Sequence, residues 1–294
     1  MGFTPQVVDL DADGYADIVT GSWPGELCVF RRQQDGSFAA LEHITDSQGQ
    51  PINPGNASTA HAVDWDGDGD LDLLLGNIQG EVLLARNDGT TQAPVYQAPE
   101  KLHADGRPIA VAEGDSAPIA ADWDGDGRLD LIVGCGDGGV LFFRNEAQEG
   151  PPTLAAGRHL VPPSVAAAAD QGSSEPKPGK RSKPCVADFN GDGLLDLLVG
   201  DFSSQQAEPT GEQAETARAL EQLRARQAEL AEELQRLLQA PADETDEQRQ
   251  ARKARLQSVL QERRVLERQL ANLRPRTSYT YHGWVWLYLR QPRP

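Results

Sequence analysis

Four stretches of the chain place oxygen-bearing side chains at alternate positions ahead of a glycine. Each reads Asp-x-Asp-x-Asp-Gly, with Asn for the middle Asp in the last copy, and each has a further Asp at position nine. Oxygen atoms at positions one, three and five surround one point only if the backbone curls tightly. Glycine at position six permits that turn because it tolerates positive φ. An all-oxygen set of this size suits Ca²⁺, which accepts about six to eight ligands, better than Mg²⁺.

Each loop is expected to supply the side chains of positions one, three, five and nine and the backbone carbonyl of position seven. The expected ligands of the first two loops are Asp9, Asp11, Asp13, Tyr15 and Asp17, then Asp64, Asp66, Asp68, Asp70 and Asp72. Those of the last two loops are Asp122, Asp124, Asp126, Arg128 and Asp130, then Asp188, Asn190, Asp192, Leu194 and Asp196. A single copy would fit an Asx-rich turn equally well. Four copies that lead into apolar strands favour metal, and predict about four structural Ca²⁺ ions.

The net charge of −18 argues against one class of function, the binding of nucleic acids. Recognition of nucleic-acid phosphates needs clustered Lys and Arg, so this charge argues against a nucleic-acid binder. The acidic residues concentrate in the four loops, where they repel one another unless a cation neutralises them. No run approaches the roughly 18 apolar residues of a membrane span, and the first five residues do not resemble a signal peptide.

The four loops belong to a longer repeat, whose copies start 55, 58 and 66 residues apart. Each loop leads into an apolar strand, and in the first three copies a second apolar run follows and ends at Arg31, Arg86 and Arg144. Short strands at regular spacing with Gly-rich turns are typical of all-β proteins. Runs such as 71–75 are apolar on both faces, as in sheets that stack face to face. We expect an all-β β-propeller whose four recognisable blades form a whole ring or part of a larger one.

These motifs resemble the FG-GAP or VCBS-type repeat, the calcium-loop unit of integrin-type β-propellers. The likeness covers roughly residues 1–202 and the last dozen. Segments 21–27, 61–70 and 283–287 are also similar to VCBS-repeat proteins of Planctomycetes-like bacteria. The resemblance implies a calcium-stabilised propeller that is extracellular, periplasmic or on the cell surface. It also implies a scaffold, or an interaction module for a protein or glycan, rather than an enzyme.

Residues 203–274 interrupt the last repeat with Glu, Gln, Arg, Leu and Ala, which are good helix formers. Apolar residues in a 3-4 spacing predict two heptad seams, at Leu220, Leu223, Leu230, Leu234 and Leu237, and at Leu256, Val259, Leu266, Leu270 and Leu273. Pro241 ends the first helix, and Thr245 with Gln248 resembles a capping box that opens the second. We expect an inserted antiparallel α-helical coiled-coil hairpin, either self-contained or an arm for docking a partner or forming a homo-oligomer. The propeller domain then comprises 1–202 plus 275–294, and residues 284–290 supply the strand missing from the last blade.

Few other residues suggest chemistry. No nucleophile elbow, P-loop, dinucleotide fingerprint or HExxH motif occurs in the sequence. A lyase-like, polysaccharide-active enzyme on a calcium-bearing propeller remains the alternative, by analogy of fold alone. We expect Trp65 and Trp123, both at position two of a loop, to pack between blades, and Trp23 to be an exposed platform for a glycan. His61 is expected to be an ordinary strand residue, Cys28 and Cys185 to be buried, and Cys135 to be partly exposed.

Overall fold

The apolar run after each acidic loop forms the second strand of a four-stranded antiparallel sheet. The computed structural model describes residues 4–164, 177–206, 212–239, 244–272 and 279–291. The first sheet contains, in order, β1 (Gln6–Val8), β2 (Asp17–Thr20), β3 (Cys28–Phe30) and β4 (Glu42–His43). The second contains β5 (Thr59–Val63), β6 (Asp72–Gly76), β7 (Val82–Ala85) and β8 (Glu100–Lys101), and is followed by the short hairpin of β9 (His103–Ala104) and β10 (Arg107–Pro108).

The third sheet repeats this order, and the fourth departs from it. The third contains β11 (Ala117–Ala121), β12 (Asp130–Gly134), β13 (Val140–Phe143) and β14 (Arg158–Val161). In the fourth, β15 (Lys180–Ala187) pairs with the long β16 (Asp196–Gln206), which also pairs with β17 (Tyr279–His282) and β18 (Val285–Tyr288). β18 takes the place of a third strand, with Leu198 opposite Leu287, so the prediction that residues 284–290 supply this strand is confirmed. Within the described ranges, no outer strand follows β18.

Three apolar clusters join consecutive sheets. The first combines residues of sheets one and two, such as Val19 and Leu73, and the second joins sheets two and three. The third joins sheets three and four. Trp65 lies in the second cluster and Trp123 in the third, and each is at least nine-tenths buried, which confirms their predicted position between sheets. Among the described residues no cluster joins the fourth sheet to the first.

A serine and a glycine recur at each junction between sheets. The buried Ser58, Ser116 and Ser182 each accept a hydrogen bond, through Oγ, from the backbone N–H that follows the second strand of the preceding sheet, at 2.8–3.0 Å. Their carbonyl oxygens lie only 2.0, 2.3 and 2.1 Å from where a Cβ would stand on Gly21, Gly76 and Gly134. The glycine that ends each of these repeats is therefore required because the next sheet occupies the space of a side chain.

Two helices of equal length form a separate compact unit. The chain divides into residues 1–203 with 282–294, and residues 204–281. The second unit contains α1 (Glu212–Leu238) and α2 (Asp246–Asn272), which pack through Leu230, Val259 and Leu266. Ion pairs from Arg226 to Glu262 and from Glu233 to Arg255 show that the helices run antiparallel, since numbers rise on one helix as they fall on the other.

Two features of this hairpin bear on the sequence predictions. Thr245 and Gln248 form the predicted capping box, because each accepts the other's backbone N–H, at 2.9 and 3.3 Å. Pro241 and Leu273 lie outside the described residues. Supercoiling of the two helices stays a prediction, and neither described helix is apolar over enough length to cross a bilayer.

Two predictions about cysteine were wrong. Cys135 is buried and Cys185 is exposed. Cys135 follows β12, where the next sheet covers it: its N–H donates to Ser182 Oγ. Cys185 pairs with Leu198 within the fourth sheet, and burial of a β-strand residue depends on the neighbouring sheet as well as on its own strand. Cys28 is buried, as predicted.

Candidate metal centre

Each acidic loop connects the first strand of a sheet to the second. The position-one carboxylates, Asp9, Asp64, Asp122 and Asp188, accept backbone N–H groups from later in the same loop. In the third loop, Gly125 N and Gly127 N donate to the two oxygens of Asp122, both at 2.9 Å. Position six has a φ of +85 to +96 in the four loops, which glycine adopts without strain. These bonds curl the backbone around the loop's own carboxylates.

The aspartates of positions one, three and five converge in three loops. Carboxylate oxygens lie within 4.8 Å of one another in Asp9, Asp11 and Asp13, in Asp64, Asp66 and Asp68, and in Asp122, Asp124 and Asp126. At position three, Oδ1 of Asp11, Asp66 and Asp124 is buried, and no hydrogen bond reaches it from any residue that the structure describes. A buried charged oxygen without a partner is costly unless a cation meets it. The three loops thus supply oxygen donor atoms, and each has a buried oxygen that a hard cation would stabilise.

The aspartate at position nine is fully buried and ties the loop to the third strand. Asp17, Asp72, Asp130 and Asp196 are at most 1 % exposed. Asp130 accepts the N–H of Trp123 at 3.2 Å and that of Asn145, just past β13, at 2.8 Å. Asp72 and Asp196 bind the corresponding two N–H groups of their sheets. Each oxygen keeps a free lone pair after one such bond, so this residue can brace the sheet and still be a ligand.

Charge is costly in these loops without a cation. Burial, with a smaller contribution from the charges of Asp66 and Asp70, raises the pKa of Asp72 to about 6, although the N–H groups that it accepts lower the pKa. Burial also raises the pKa of Asp130, and the pKa of Asp11 despite the opposing charge of Arg31. A bound divalent cation reverses this preference, because it stabilises the ionised form of every carboxylate around it.

The arginine that ends the third strand enters two of the loops. Arg31 Nη1 lies 2.9 Å from Asp11 Oδ2 and 2.8 Å from Asp17 Oδ2. Arg144 contacts Asp124 at 2.7 Å and Asp126 at 3.1 Å. In the second loop the equivalent Arg86 instead pairs with the exposed Asp88, at 3.2 Å. This arginine is visible in the sequence as part of the repeat, and its recurrence was the signal for a role in the loops that the sequence-based prediction missed.

The second loop carries an additional acidic side chain. Asp70 was predicted to contribute only its backbone carbonyl, yet its side chain is buried and its Oδ1 is without a hydrogen-bond partner among the described residues. Burial raises the pKa of Asp70, and the charges of Asp68, Asp66 and Asp64 add to this. Of the four loops, the second therefore concentrates the most negative charge, and no arginine in the described parts of the chain pairs with its aspartates.

Of the four acidic loops, the fourth has the weakest need for a cation. Asn190 at position three donates from Nδ2 to Asp192 Oδ2 at 2.9 Å and accepts the N–H of Asp192 at 2.9 Å, so the loop partly satisfies itself. By strand register Leu289 stands where Arg144 stands in the third sheet. The next residue, Arg290, donates to the backbone oxygen of Trp123 and lies 5.1 Å from the centre of the Trp123 ring. The position-seven side chains of the first and fourth loops, Tyr15 and Leu194, are not fully buried, and the ligand role of the four position-seven carbonyls stays a prediction.

A cavity in the sheet-bearing unit is lined by residues of the fourth sheet and of the segments that follow β2 and precede β5 and β11. It has a volume of about 460 Å³, and its lining includes Trp23, Trp284 and the group formed by Asp115, Arg181 and Lys183. Asp115 contacts Arg181 at 3.3 Å and Lys183 at 3.2 Å. Asp115 and Arg181 both have a φ above +50, a conformation that non-glycine residues hold only where the surroundings impose it. Trp23 is 48 % exposed at this cavity, as predicted for a platform.

Comparison with known proteins identifies the repeat. The family model described as FG-GAP-like repeat matches residues 9–75, 64–133 and 122–199. Cartilage acidic protein 1 of Xenopus tropicalis is 26 % identical over 139 residues, 45 % of this chain, and that of Mus musculus is 24 % identical over the same length. The match covers 20 % of each relative, so the chain spans about a fifth of the length of the curated relatives it matches. The likeness to bacterial VCBS-repeat proteins stays a prediction.

Proposed function

The chain belongs to the FG-GAP-like repeat family, and from that premise we propose that it is a calcium-stabilised propeller module that binds a protein or a glycan. The observation that carries the metal part is the recurrence of one buried, unpartnered oxygen at position three, on Asp11, Asp66 and Asp124. Acidic residues that cluster by chance would not leave the same carboxylate oxygen buried and without a hydrogen-bond partner at the same position of three loops. Ca²⁺ fits because the donors are oxygens and the loops are compact.

The role of the ion is structural in this proposal. Ligands at positions one to five belong to the loop, and the position-nine aspartate begins the second strand while holding the end of the third. An ion that binds all of them fastens three strands of one sheet. Bound calcium stabilises the folded chain by mass action, since the unfolded chain has no such site.

Elemental analysis and melting curves test this role. About four Ca²⁺ per chain after dialysis, and a melting temperature lower in EDTA than in calcium, are expected. Asp66→Ala removes the position-three oxygen and is expected to remove one ion and lower the melting temperature in calcium, whereas the matched change at an exposed acidic residue outside the loops, Glu42→Ala, changes neither. No bound calcium and identical melting in EDTA would refute the proposal.

Binding rather than catalysis is the proposed activity. The cavity beside Trp23 offers aromatic surface next to hydrogen-bonding charges, a combination that suits a glycan or a polar segment of a protein. A glycan array with wild-type protein and with Trp23→Ala tests this, and loss of a wild-type hit in the variant is expected. The alternative enzyme is tested by incubating the purified protein with acidic polysaccharides, where depolymerisation would favour it.

The helical hairpin is proposed to dock a partner protein. Leu260 and Val265 on α2 remain 41 % and 49 % exposed, which leaves apolar surface available to a partner. The setting we propose is extracellular, periplasmic or at the cell surface, where millimolar calcium fills even weak sites. A variant with residues 207–278 replaced by a short Gly-Ser linker should stay folded and lose the partner in pull-down experiments.

A further inference from the structure

Every sheet of the repeat has two apolar faces. We define the forward face as the one that contacts the next sheet in chain order, and the backward face as the one that contacts the preceding sheet. The forward face carries the position-two residue of each loop, for which Leu10, Trp65 and Trp123 are at most 9 % exposed. The backward face carries the residue two before each loop, such as Ala62 and Ala120.

The forward face of the fourth sheet is uncovered. Its position-two residue, Phe189, is 60 % exposed, although the equivalent tryptophans are buried. Val285 stands where Val82 and Val140 stand in their sheets and is 71 % exposed, whereas both of those are 0 % exposed. The residues have the apolar character of the other forward faces, and no sheet formed by the described residues covers them.

The backward face of the first sheet is uncovered too. Val7 is 70 % exposed, and its equivalent Ala62 is 4 % exposed. Ile18 is only half-buried, whereas the equivalent Leu73 and Leu131 are completely buried beneath the preceding sheet. One chain therefore carries both halves of the junction that it forms three times internally.

Glycine at the end of the fourth repeat supports the same reading. A Cβ on Gly21, Gly76 or Gly134 would collide with the backbone oxygen of the next sheet's serine. At Gly200 the nearest atom to such a Cβ, among the residues that the structure describes, is Lys183 O at 3.8 Å, which belongs to the same sheet. The backbone there thus leaves the same space for a neighbouring sheet, and that space is open.

We propose that a second copy of this chain covers these faces, with the forward face of the fourth sheet in one copy against the backward face of the first sheet in the other. The occupant follows from continuity: the three internal junctions all join a forward to a backward face, and each copy supplies one of each. Such a contact is heterologous, because it joins two different surfaces, and the assembly closes into a ring if each copy uses both of its faces. Two copies joined twice would bring together eight sheets, which is within the range of propellers.

Light scattering after size exclusion, in calcium buffer at physiological salt, tests the contact. The wild-type chain is expected to have twice the 31.8 kDa mass of one chain, or a higher multiple if the contact stays open. Val7→Glu and Phe189→Glu are each expected to be monomeric, because every contact in either sample includes the introduced carboxylate. An equimolar mixture is expected to contain 1:1 pairs, since one pairing joins the intact fourth sheet of the Val7→Glu chain to the intact first sheet of the other.

Controls make each outcome decisive. Phe38→Glu replaces an aromatic residue of the first sheet's periphery that is 45 % exposed, and should leave the oligomer unchanged. Melting curves establish that the variants are folded, which is expected because both substituted side chains are mostly exposed. A monomeric wild-type chain would overturn the proposal, as would an oligomer that survives both single substitutions, which would point to the helical hairpin. Failure of the mixture to pair would exclude head-to-tail stacking.

Discussion

Replacing Arg31 with Gln should raise calcium affinity while it destabilises the metal-free chain. Arg31 bridges Asp11 and the fully buried Asp17, at 2.9 and 2.8 Å. It therefore supplies in the metal-free state part of the positive charge that calcium would bring. The two effects share one cause, because an ion that enters the loop must compete with the guanidinium for the same carboxylates.

The size of the effect follows from burial. Breaking a buried ion pair from one side costs about 3–5 kcal/mol, but the Arg31 side chain is 26 % exposed and the pair is partly screened. We therefore expect a loss of about 2 kcal/mol in EDTA, or roughly 4–8 °C in melting temperature for a unit of this size. If calcium displaces most of this contact, affinity at the first loop rises about tenfold, which corresponds to about 1.4 kcal/mol.

Arg86→Gln is the matched control, because it changes the same position of the next repeat. Among the described residues, the ion pair with Asp88 is the one salt bridge of Arg86, and both side chains are about half exposed. Exposed pairs contribute about 0–1 kcal/mol, so neither melting temperature nor affinity should change measurably.

Isothermal titration with calcium, together with melting curves in EDTA and in calcium, measures both effects. One class of site should tighten in Arg31→Gln, and the melting temperature should fall in EDTA but little in saturating calcium. A weaker calcium affinity in Arg31→Gln would refute the competition, since it would mean that the arginine assists the bound state. Equal calcium affinities and equal melting temperatures in Arg31→Gln and Arg86→Gln would refute the competition as well.

Three further predictions concern the fourth loop, the junctions and His61. Asn190→Asp should raise calcium affinity at the fourth loop roughly tenfold, because ligand charge tunes such sites, and titration calorimetry would detect no gain if Asn190 is not a ligand. Gly134→Ala should destabilise the chain by more than about 2 kcal/mol in urea unfolding, because its Cβ would lie 2.1 Å from Ser182 O, whereas Gly200→Ala should be tolerated in the monomer. Burial lowers the pKa of His61 from 6.5 to about 4. The neutral side chain therefore makes its full contribution to folding stability above pH 6.5, and this contribution is lost as the pH falls towards 4. Over that pH interval the free energy of unfolding of the wild-type chain should therefore fall by up to about 3 kcal/mol relative to that of His61→Gln. A difference in unfolding free energy that does not change with pH would contradict the lowered pKa of His61.

The sequence predicts the local structure of each loop well because the restraints are local. Spacing of Asp residues and the glycine at position six determine which atoms converge, and three of the loops bring their carboxylates within 4.8 Å of one another. The apolar run that follows each loop identifies the second strand for the same reason. The return of the chain at residues 284–290 was also predictable, since it completes a pattern already present three times.

Features that depend on the neighbouring sheet were not accessible in this way. The exposure of Cys185 and Phe189 reflects the absence of a following sheet among the described residues, which no local pattern records. Arg31 and Arg86 occupy the same place in the repeat, yet only one enters its loop. The acidic partner of Arg86 is Asp88, two residues further along the chain, and such competition between alternative partners is decided by geometry rather than spacing.

The acidic loops and the faces between sheets are joined through a single residue in each repeat. The position-two residue follows the first ligand, and in the last three loops its N–H donates to the buried position-nine aspartate. Its side chain is Trp65, Trp123 or Phe189, which forms the forward face of its sheet. A cation that draws the position-one and position-nine carboxylates together therefore fixes the backbone from which this side chain projects. Because Phe189 lies on the uncovered face, removal of calcium should loosen the contact between copies before it unfolds the sheets, and the mass of the oligomer should fall at chelator concentrations that leave the strands intact.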